Sequence, residues 1–413
     1  MGITVEQLLA GPRGRRACLA FAMLGDQEAD LAAAIADPGG ESTPSAFSSA
    51  LWDYTLAIDS RSGGTGFAVF ATATAPVEDA LADDEYVSPA EARRLEQALR
   101  QELLAKEPPS PRELNELLLQ VPLLPVTETT LLTALGRSVD SARYWQEPDA
   151  EDQLCSEPEL LSGLRRAAQH LADSPLTVWW DRSHDPAAQW VVGVTDQPLP
   201  RMRGTAGVLR ADTAEKRAMQ AKASTRRQPK DPAKQGGGEW WTLPGFGTTS
   251  SSGSHGGAPL QLWLEEDGLG AERMAVTQLS ARPSDRIYEV ASADDWAELC
   301  ANYPLDVSAR FRSLWFLSTG RDGAWVLPDL EALSAHWDGL HLSLAAYLAL
   351  AGTVIEVPGH GASLLAGWHP ESTFWLTDPP PVQGPIKLWL RDHEGGWAEA
   401  GPLPDDDGET SAL

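Results

Sequence analysis

The chain has 413 residues, which is enough for two or three domains that each bury a core, so a single small domain is excluded. Its 59 acidic and 32 basic side chains give a formal net charge of −27, which argues against general binding to nucleic acids or to anionic membranes. The cysteines Cys18, Cys155 and Cys300 stand far apart without a CxxC pair, so neither a disulfide framework nor a zinc knuckle is indicated. No apolar run reaches the length of a membrane span and no signal-peptide pattern is present, so we expect a soluble cytoplasmic protein.

Residues 1–198 are predicted to form a helix-rich α+β domain that ends in a hairpin. Capping boxes that begin at Thr4 and Ser110 predict helix starts, because a hydroxyl and an acid or amide three residues later satisfy each other's backbone donors. Two strands are predicted within 51–73. The hairpin is predicted from the apolar runs 176–180 and 189–194.

Residues 199–257 are predicted to be a flexible linker, basic at first and then rich in Gly and Ser. Between Arg201 and Lys234 ten Lys or Arg stand against three acids, a local charge of +7 in an acidic chain. Two interpretations remain open. The segment is either an arm that contacts nucleic acid or a solvated tether attracted to the protein's own acidic surfaces.

Residues 258–400 are predicted to form a Trp-rich α+β domain with a mixed sheet, followed by an acidic disordered tail at 401–413. Two LWL segments, at 262–264 and 388–390, are each predicted to lie in a hairpin. Eleven of the sixteen tryptophans fall between Trp240 and Trp397, and we interpret most of them as core residues in preference to a stacking groove for sugars or bases.

The C-terminal domain is organised around the stretch 338–378. Leu340 and Leu342 alternate with His341 and Ser343, which predicts a strand with the two polar side chains on one face. Ser343 is placed to cap the following Ala- and Leu-rich helix. Glu371 is predicted to lie just before the next strand.

A resemblance to known proteins is carried by GPRGRRACL (11–19), SARYWQEPD (141–149), DWAELCANYPLDV (295–307), TGRDGAWVLPD (319–329), GLHLSLAAYLALAG (339–352) and AGWHPESTFWL (366–376). Together these strings resemble an uncharacterised family of actinobacterial proteins over nearly the whole chain. The resemblance implies a coherent two-part protein and attaches no reaction to it.

The region 286–378 also resembles ADP-ribosyltransferases and the related RES-type NAD-degrading toxins, in the order Arg286 with Tyr288, then His341 and Ser343, then Glu371. The resemblance implies that Arg286 and Tyr288 bind the NAD cofactor and that His341 and Ser343 shape the nicotinamide pocket. It further implies that Glu371 stabilises the oxocarbenium ion as the glycosidic bond breaks. The sequence lacks the S-T-S and E-x-E patterns of those enzymes.

A structural interpretation of the same residues competes with the catalytic one: Arg286 pairs with a surface acid, His341 is a satisfied imidazole and Glu371 caps a turn. The four histidines of the domain (His336, His341, His360 and His369) lack the ligand spacing of a metal site. Phosphate-loop, dinucleotide and serine-hydrolase motifs are absent from the sequence.

The sequence therefore predicts an α+β protein of two domains without a built-in cofactor. Its first predicted function is that of a cytoplasmic protein that binds a protein partner or regulates one. The alternative is an NAD-consuming transferase or glycohydrolase in the C-terminal domain. Membrane binding is not predicted, and nucleic-acid contact is considered only for the basic linker.

Overall fold

The computed structural model describes residues 2–36, 44–62, 94, 101, 107–195, 199, 202–225, 227, 229–235, 239–245, 247–253, 257–268, 270–280, 282–393 and 395–403. Helices dominate the N-terminal region and a mixed sheet dominates the C-terminal region, which confirms the predicted α+β class. The Ser88-Pro89 pair predicts the start of a helix that runs to about Lys106, but most of that helix and most of the predicted tail lie outside the described residues.

The helices, numbered in chain order, are α1 Val5–Ala10, α2 Pro12–Ala36, α3 Ala46–Ser62, α4 Pro111–Leu118, α5 Glu128–Asp140, α6 Ala150–Ser156, α7 Leu161–Ala172, α8 Thr205–Ser224, α9 Ala293–Asn302, α10 Ser308–Thr319, α11 Leu330–Leu333 and α12 Leu344–Leu350. The strands are β1 Gln189–Val194, β2 Thr249–Ser252, β3 Arg273–Leu279, β4 Ile287–Val290, β5 Pro304–Asp306, β6 Val326–Pro328, β7 Gly339–Leu342, β8 Ile355–Val357, β9 Gly361–Ser363, β10 Ser372–Trp375, β11 Val382–Arg391 and β12 Trp397–Pro402.

The chain divides into two compact units whose boundaries differ from the predicted domain boundaries. One unit comprises residues 1–20, 125–147 and 168–413, and the other comprises 21–124 and 148–167. The first therefore combines the N-terminal residues with the whole sheet. A division at 198 and 258, as predicted from composition, does not appear in this arrangement because the first twenty residues and the C-terminal part pack in one unit.

The smaller unit is helical in its described part and is built around apolar side chains of α3, α4 and α6. Phe47, Leu51 and Tyr54 of α3 are buried at helical spacing. This spacing explains why residues 51–62 form a helix where strands were predicted; residues 63–73 lie outside the described residues. The Ser110 capping box is confirmed at the start of α4.

The larger unit contains an eight-stranded sheet, counted over the described residues, in the order β12-β11-β3-β1-β2-β10-β7-β4. All neighbouring strands are antiparallel except β4 and β7, which run parallel. Two small sheets, β5 with β6 and β8 with β9, belong to the same unit. The sheet is therefore mixed, as predicted.

The basic half of the predicted linker contains a helix, α8, that packs against α10 and α11. Thr205, Leu209, Thr213 and Lys216 are buried and recur on one helical face. Arg210 pairs with Glu331 and Arg217 with Asp329, so basic side chains of this segment contact the protein's own acids. The sequence predicted only a transient helix at 214–223 within this linker, because the buried face of the helix carries a single large apolar side chain.

The Ser-rich half of the predicted linker supplies β2, which lies between β1 and β10. Ser250, Ser251 and Ser252 are fully buried. The hydroxyl of Ser250 donates to Gln189 Oε1 at 2.6 Å and accepts from Trp375 Nε1 at 2.9 Å. A Ser-rich segment thus becomes a central strand because its hydroxyls find partners inside the protein.

Two predicted hairpins also differ from the structure. Residues 175–181 form a 3-10 helix that begins with Ser174 as cap and Pro175 in the first turn, and these start signals outweigh the strand propensity of the residues that follow. The first LWL segment lies in a 3-10 turn at Leu260–Leu262, whereas the second lies in the β11–β12 hairpin, as predicted. No helix in the described part of the chain combines the length and apolar character needed to cross a membrane.

Candidate functional site

The sheet places a row of polar side chains on one of its faces. His341 of β7 lies opposite Glu289 of β4 and Thr373 of β10. Leu340 and Leu342 point to the other face because successive side chains of a strand alternate. The predicted strand and its alternation are confirmed, although both faces of β7 are buried.

His341 is the centre of this row and is fully buried. Its Nδ1 lies 2.6 Å from Glu289 Oε2, while its Nε2 lies 3.8 Å from Glu371 Oε1 and has no hydrogen bond within the described residues. Burial raises the pKa of Glu289, but the hydrogen bond and charge of His341 outweigh it and hold that pKa below its ordinary value. The imidazole therefore lies between two carboxylates.

Glu371 directly precedes β10, as predicted, and its side chain is fully buried. Arg182 Nε donates to Oε1 at 2.8 Å and the Leu344 backbone N–H donates to Oε2 at 2.9 Å. Burial raises the pKa of Glu371 in spite of the lowering effect of His341 and Arg182. Its φ of 51° lies in the left-handed region, which is strained for a residue with a side chain.

Two members of the cluster, Arg182 and His184, were not predicted. The His184 backbone N–H donates to Glu289 Oε1 at 2.9 Å, and its Nδ1 lies 2.7 Å from Thr373 Oγ1. Burial, and then the neighbouring His341, lower the pKa of His184 to about 4. Both residues lie in a short irregular segment. Its sequence predicts only a turn, and no pattern in it indicates which strands the segment contacts.

Ser343 has a local structural role in the arrangement. Its hydroxyl accepts a hydrogen bond from the Ala346 backbone N–H and caps α12, as predicted. Ser343 therefore adjoins the cluster in sequence while its side chain satisfies the helix start.

Arg286 and Tyr288 lie apart from the cluster. Arg286 is exposed and pairs with Asp338 at 3.1 Å. Arg286 lies just before β4, three residues ahead of Glu289, and Glu371 lies just before β10, two residues ahead of Thr373. Strand β10 runs in the direction opposite to β4. Arg286 and Glu371 are thus offset by five positions, or roughly 16 Å along the strands.

Tyr288 lies level with Leu340, on the face opposite His341, and its hydroxyl donates to the Asp295 carbonyl at 3.1 Å. The five residues predicted for one site are therefore divided. His341 and Glu371 come together beside Ser343, while Arg286 and Tyr288 do not join them.

A second candidate is a cleft of about 580 Å³ in the same unit, lined by α5, by the segment before β3 and by the turn between β11 and β12. Trp263 and Trp397 supply aromatic walls. The charged lining residues are Arg137, Asp140, Glu265, Glu272, Arg391 and Asp392. Sequence analysis missed this site because its residues come from three separated segments.

Two carboxyl groups of the cleft have perturbed ionisation. Burial, and then the nearby Asp140, raise the pKa of Glu265. Burial also raises the pKa of Asp140; Asp267 adds to the effect, and Arg143, a backbone N–H of Gly268 and Arg391 oppose it. Asp140 is exposed at the edge of the cleft, and Glu265 is half-buried. Clustered carboxyls of raised pKa in a concavity are a frequent property of binding and catalytic sites.

Metal ligands are not grouped in the described residues: no set of three or more His, Cys, Asp and Glu side chains there is arranged to hold a metal ion. The carboxylates of the cleft and the His–Glu cluster thus fall short of a metal centre as they stand.

Comparisons with known proteins were made for the whole chain. No protein-family model, no curated protein and no solved structure matches it. The resemblances proposed from sequence strings therefore stay predictions, and the geometry of the chain alone supports a functional proposal.

Proposed function

We propose that the protein is a cytoplasmic binding protein that holds a partner protein through the cleft beside the β11–β12 hairpin. The observation that supports this function is the cleft itself. It has about 580 Å³ of volume, aromatic walls and charged groups that converge from three segments. This volume falls in the range of small-molecule and side-chain binding sites.

A protein partner is favoured by the hairpin that forms one side of the cleft. β12 is the outermost strand of the sheet in the described residues, and an outermost strand presents backbone groups to which an extended segment can pair. Leu390 on β11, next to the turn that lines the cleft, is 40% exposed. Trp397 belongs both to β12 and to the cleft, so one partner can contact both.

The NAD-consuming alternative is not favoured by an observation of the structure. His341 and Glu371 are fully buried, whereas an enzyme of that kind needs an open pocket around its carboxylate. Arg286 and Tyr288, the residues assigned to the cofactor, lie away from Glu371.

A cytoplasmic location is supported by cysteine chemistry. Cys18, Cys155 and Cys300 are all buried and are all described, and no disulfide joins them. Buried thiols without disulfides are typical of proteins in a reducing compartment.

The test uses capped tripeptides Gly-X-Gly in which X is charged, polar or apolar, titrated into the ¹⁵N-labelled full chain. We expect at least one class of peptide to shift the indole N–H signals of Trp263 and Trp397, which are assigned through single Trp→Phe variants. Thr133 lines the cleft from α5, so Thr133→Trp fills the cleft without altering charge and should abolish the shifts.

Thr319→Trp is the matched control, since Thr319 lies on α10 and outside the cleft lining. Circular dichroism and the unfolding midpoint check that each variant is folded, and Thr133→Leu replaces Thr133→Trp if the larger side chain prevents folding. Failure of every peptide to bind, or equal binding by the filled variant, contradicts the proposed function.

A further inference from the structure

The net charge of the cleft lining is negative. Four carboxylates, from Asp140, Glu265, Glu272 and Asp392, stand against two guanidinium groups, from Arg137 and Arg391, and the imidazole of His393. The whole chain carries −27, so the long-range field has the same sign. A cation is therefore attracted to the cleft and an anion is repelled.

Glu265 is the residue in the lining that most requires a partner. Its half-buried carboxylate makes no hydrogen bond or ion pair with the described part of the chain, and its pKa is raised by burial and by Asp140. A cation placed between the carboxyls of Glu265 and Asp140 lowers the raised pKa of Glu265, because its charge compensates for the burial of the carboxylate and screens the repulsion by Asp140.

The aromatic walls distinguish an organic cation from a metal ion. Trp263 and Trp397 present indole rings to the same concavity, and aromatic rings attract ammonium and guanidinium groups and bury their methylene carbons. A metal ion would need further oxygen or nitrogen ligands, which the described residues do not group there. The volume of about 580 Å³ also exceeds what a bare ion occupies.

We infer that the cleft binds an organic cation, an alkylammonium or guanidinium group, with Glu265 as its ion-pair partner and the indoles of Trp263 and Trp397 beside its apolar part. This inference rests on the proposed function, since it names the ligand chemistry of the same cleft. The cation has two sources, a free small molecule or a Lys or Arg side chain of a partner protein.

The experiment measures binding of the full chain to capped Gly-Arg-Gly, Gly-Lys-Gly, Gly-Gln-Gly and Gly-Glu-Gly and to free ethylguanidinium, by calorimetry and by indole N–H shifts. We expect the Arg and Lys peptides to bind about tenfold or more tightly than the Gln and Glu peptides. Glu265→Gln should remove that preference. Glu298→Gln, which removes the same charge from an exposed site on α9 outside the cleft, should keep it.

Proton release provides a second readout. Because the raised pKa of Glu265 falls when a cation binds, binding at mildly acidic pH should release protons, seen as a dependence of the measured heat on the ionisation enthalpy of the buffer. Glu265→Gln should lower this release, and Glu298→Gln should leave it unchanged.

Binding of the Arg peptide without binding of ethylguanidinium supports the inference with a partner protein as source, and binding of both supports it with the free cation as a sufficient ligand. Equal or tighter binding of the Gln or Glu peptide overturns the cation inference and leaves the proposed function in place. Absence of binding by every probe contradicts the proposed function itself.

Discussion

The carboxylate of Glu371 is fully buried and depends on the half-buried Arg182 for charge compensation. We predict that Arg182→Met lowers the free energy of unfolding by about 2 to 4 kcal/mol, because removing one partner of a buried ion pair leaves a charge without compensation. Partial exposure of Arg182 reduces this loss below that of a pair hidden from water. Urea unfolding at neutral pH measures it.

The double variant Arg182→Met/Glu371→Gln is the control for this interpretation. It should be more stable than Arg182→Met alone, since it no longer buries an uncompensated charge. Arg286→Met removes an exposed pair with Asp338 and should have a much smaller effect. Equal losses in the single and double variants would show that Arg182 acts by packing.

Glu266, the neighbour of Glu265 in the chain, points into the core and accepts hydrogen bonds from the Tyr347 hydroxyl at 2.7 Å and the Gly367 N–H at 2.6 Å. Burial raises its pKa to about 7 from an ordinary 4.5. The folded state therefore holds this proton more tightly than the unfolded state. The contribution of Glu266 to stability falls as pH rises from about 4.5 to 7, by roughly 3 kcal/mol in total.

The measurement compares the unfolding free energy of the wild type with that of Glu266→Gln across this pH interval. The variant should gain stability relative to the wild type as pH rises, because the amide has no proton to release. The contributions of His184 and His369 to stability change with pH in the direction opposite to that of Glu266. Burial lowers the pKa of both histidines to about 4, so their stabilising effect is lost as pH falls toward that value. A pH-independent difference between the two proteins would contradict the assignment of Glu266.

At the scale of elements, α8 converts a segment of linker composition into packed structure. We predict that trypsin does not cleave the native protein at Lys216 or Arg217, because Lys216 is 3% exposed and the helix packs against α10 and α11. Leu209 is the fully buried apolar residue of the helix. Leu209→Ala should therefore increase cleavage at these two sites.

Arg210→Gln is the control. It removes an exposed basic side chain from the same helix and should leave the cleavage rate at Lys216 unchanged. Mass spectrometry of the fragments identifies the sites. Rapid cleavage of the wild type at Lys216 under native conditions would show that α8 is not packed in solution.

At the scale of the whole molecule, the helix starts and the strand around His341 could be predicted because their signals are local. Thr4, Ser110 and Ser343 each accept a hydrogen bond within the first turn of the helix they cap, as predicted. β2 could not be predicted from composition, and α8 was predicted only as a transient helix over part of its length. Their stability comes from partners such as Gln189 and Asp329, which are distant in sequence.

The candidate sites were predictable only in part for the same reason. The period of β7 and the turn before β10 identified His341 and Glu371, which lie in one cluster. Arg182 reaches that cluster from 189 positions earlier in the chain, and the sequence of its short segment carries no mark of this contact. Glu265 is adjacent to an LWL string, but its raised pKa comes from burial and from Asp140 of α5, which is distant in sequence.

The position of β2 in the sheet has a consequence for synthesis. β2 pairs with β1, which precedes it, and with β10, whose Ser372 follows its partner Ser251 by about 120 residues. A ribosome that adds 5 to 20 residues per second needs roughly 6 to 24 s to deliver that second neighbour. During this interval one edge of β2 is open to other nascent chains. The strand consists mainly of serine and is poor in the apolar and β-branched residues that drive aggregation, so this edge does not attract them.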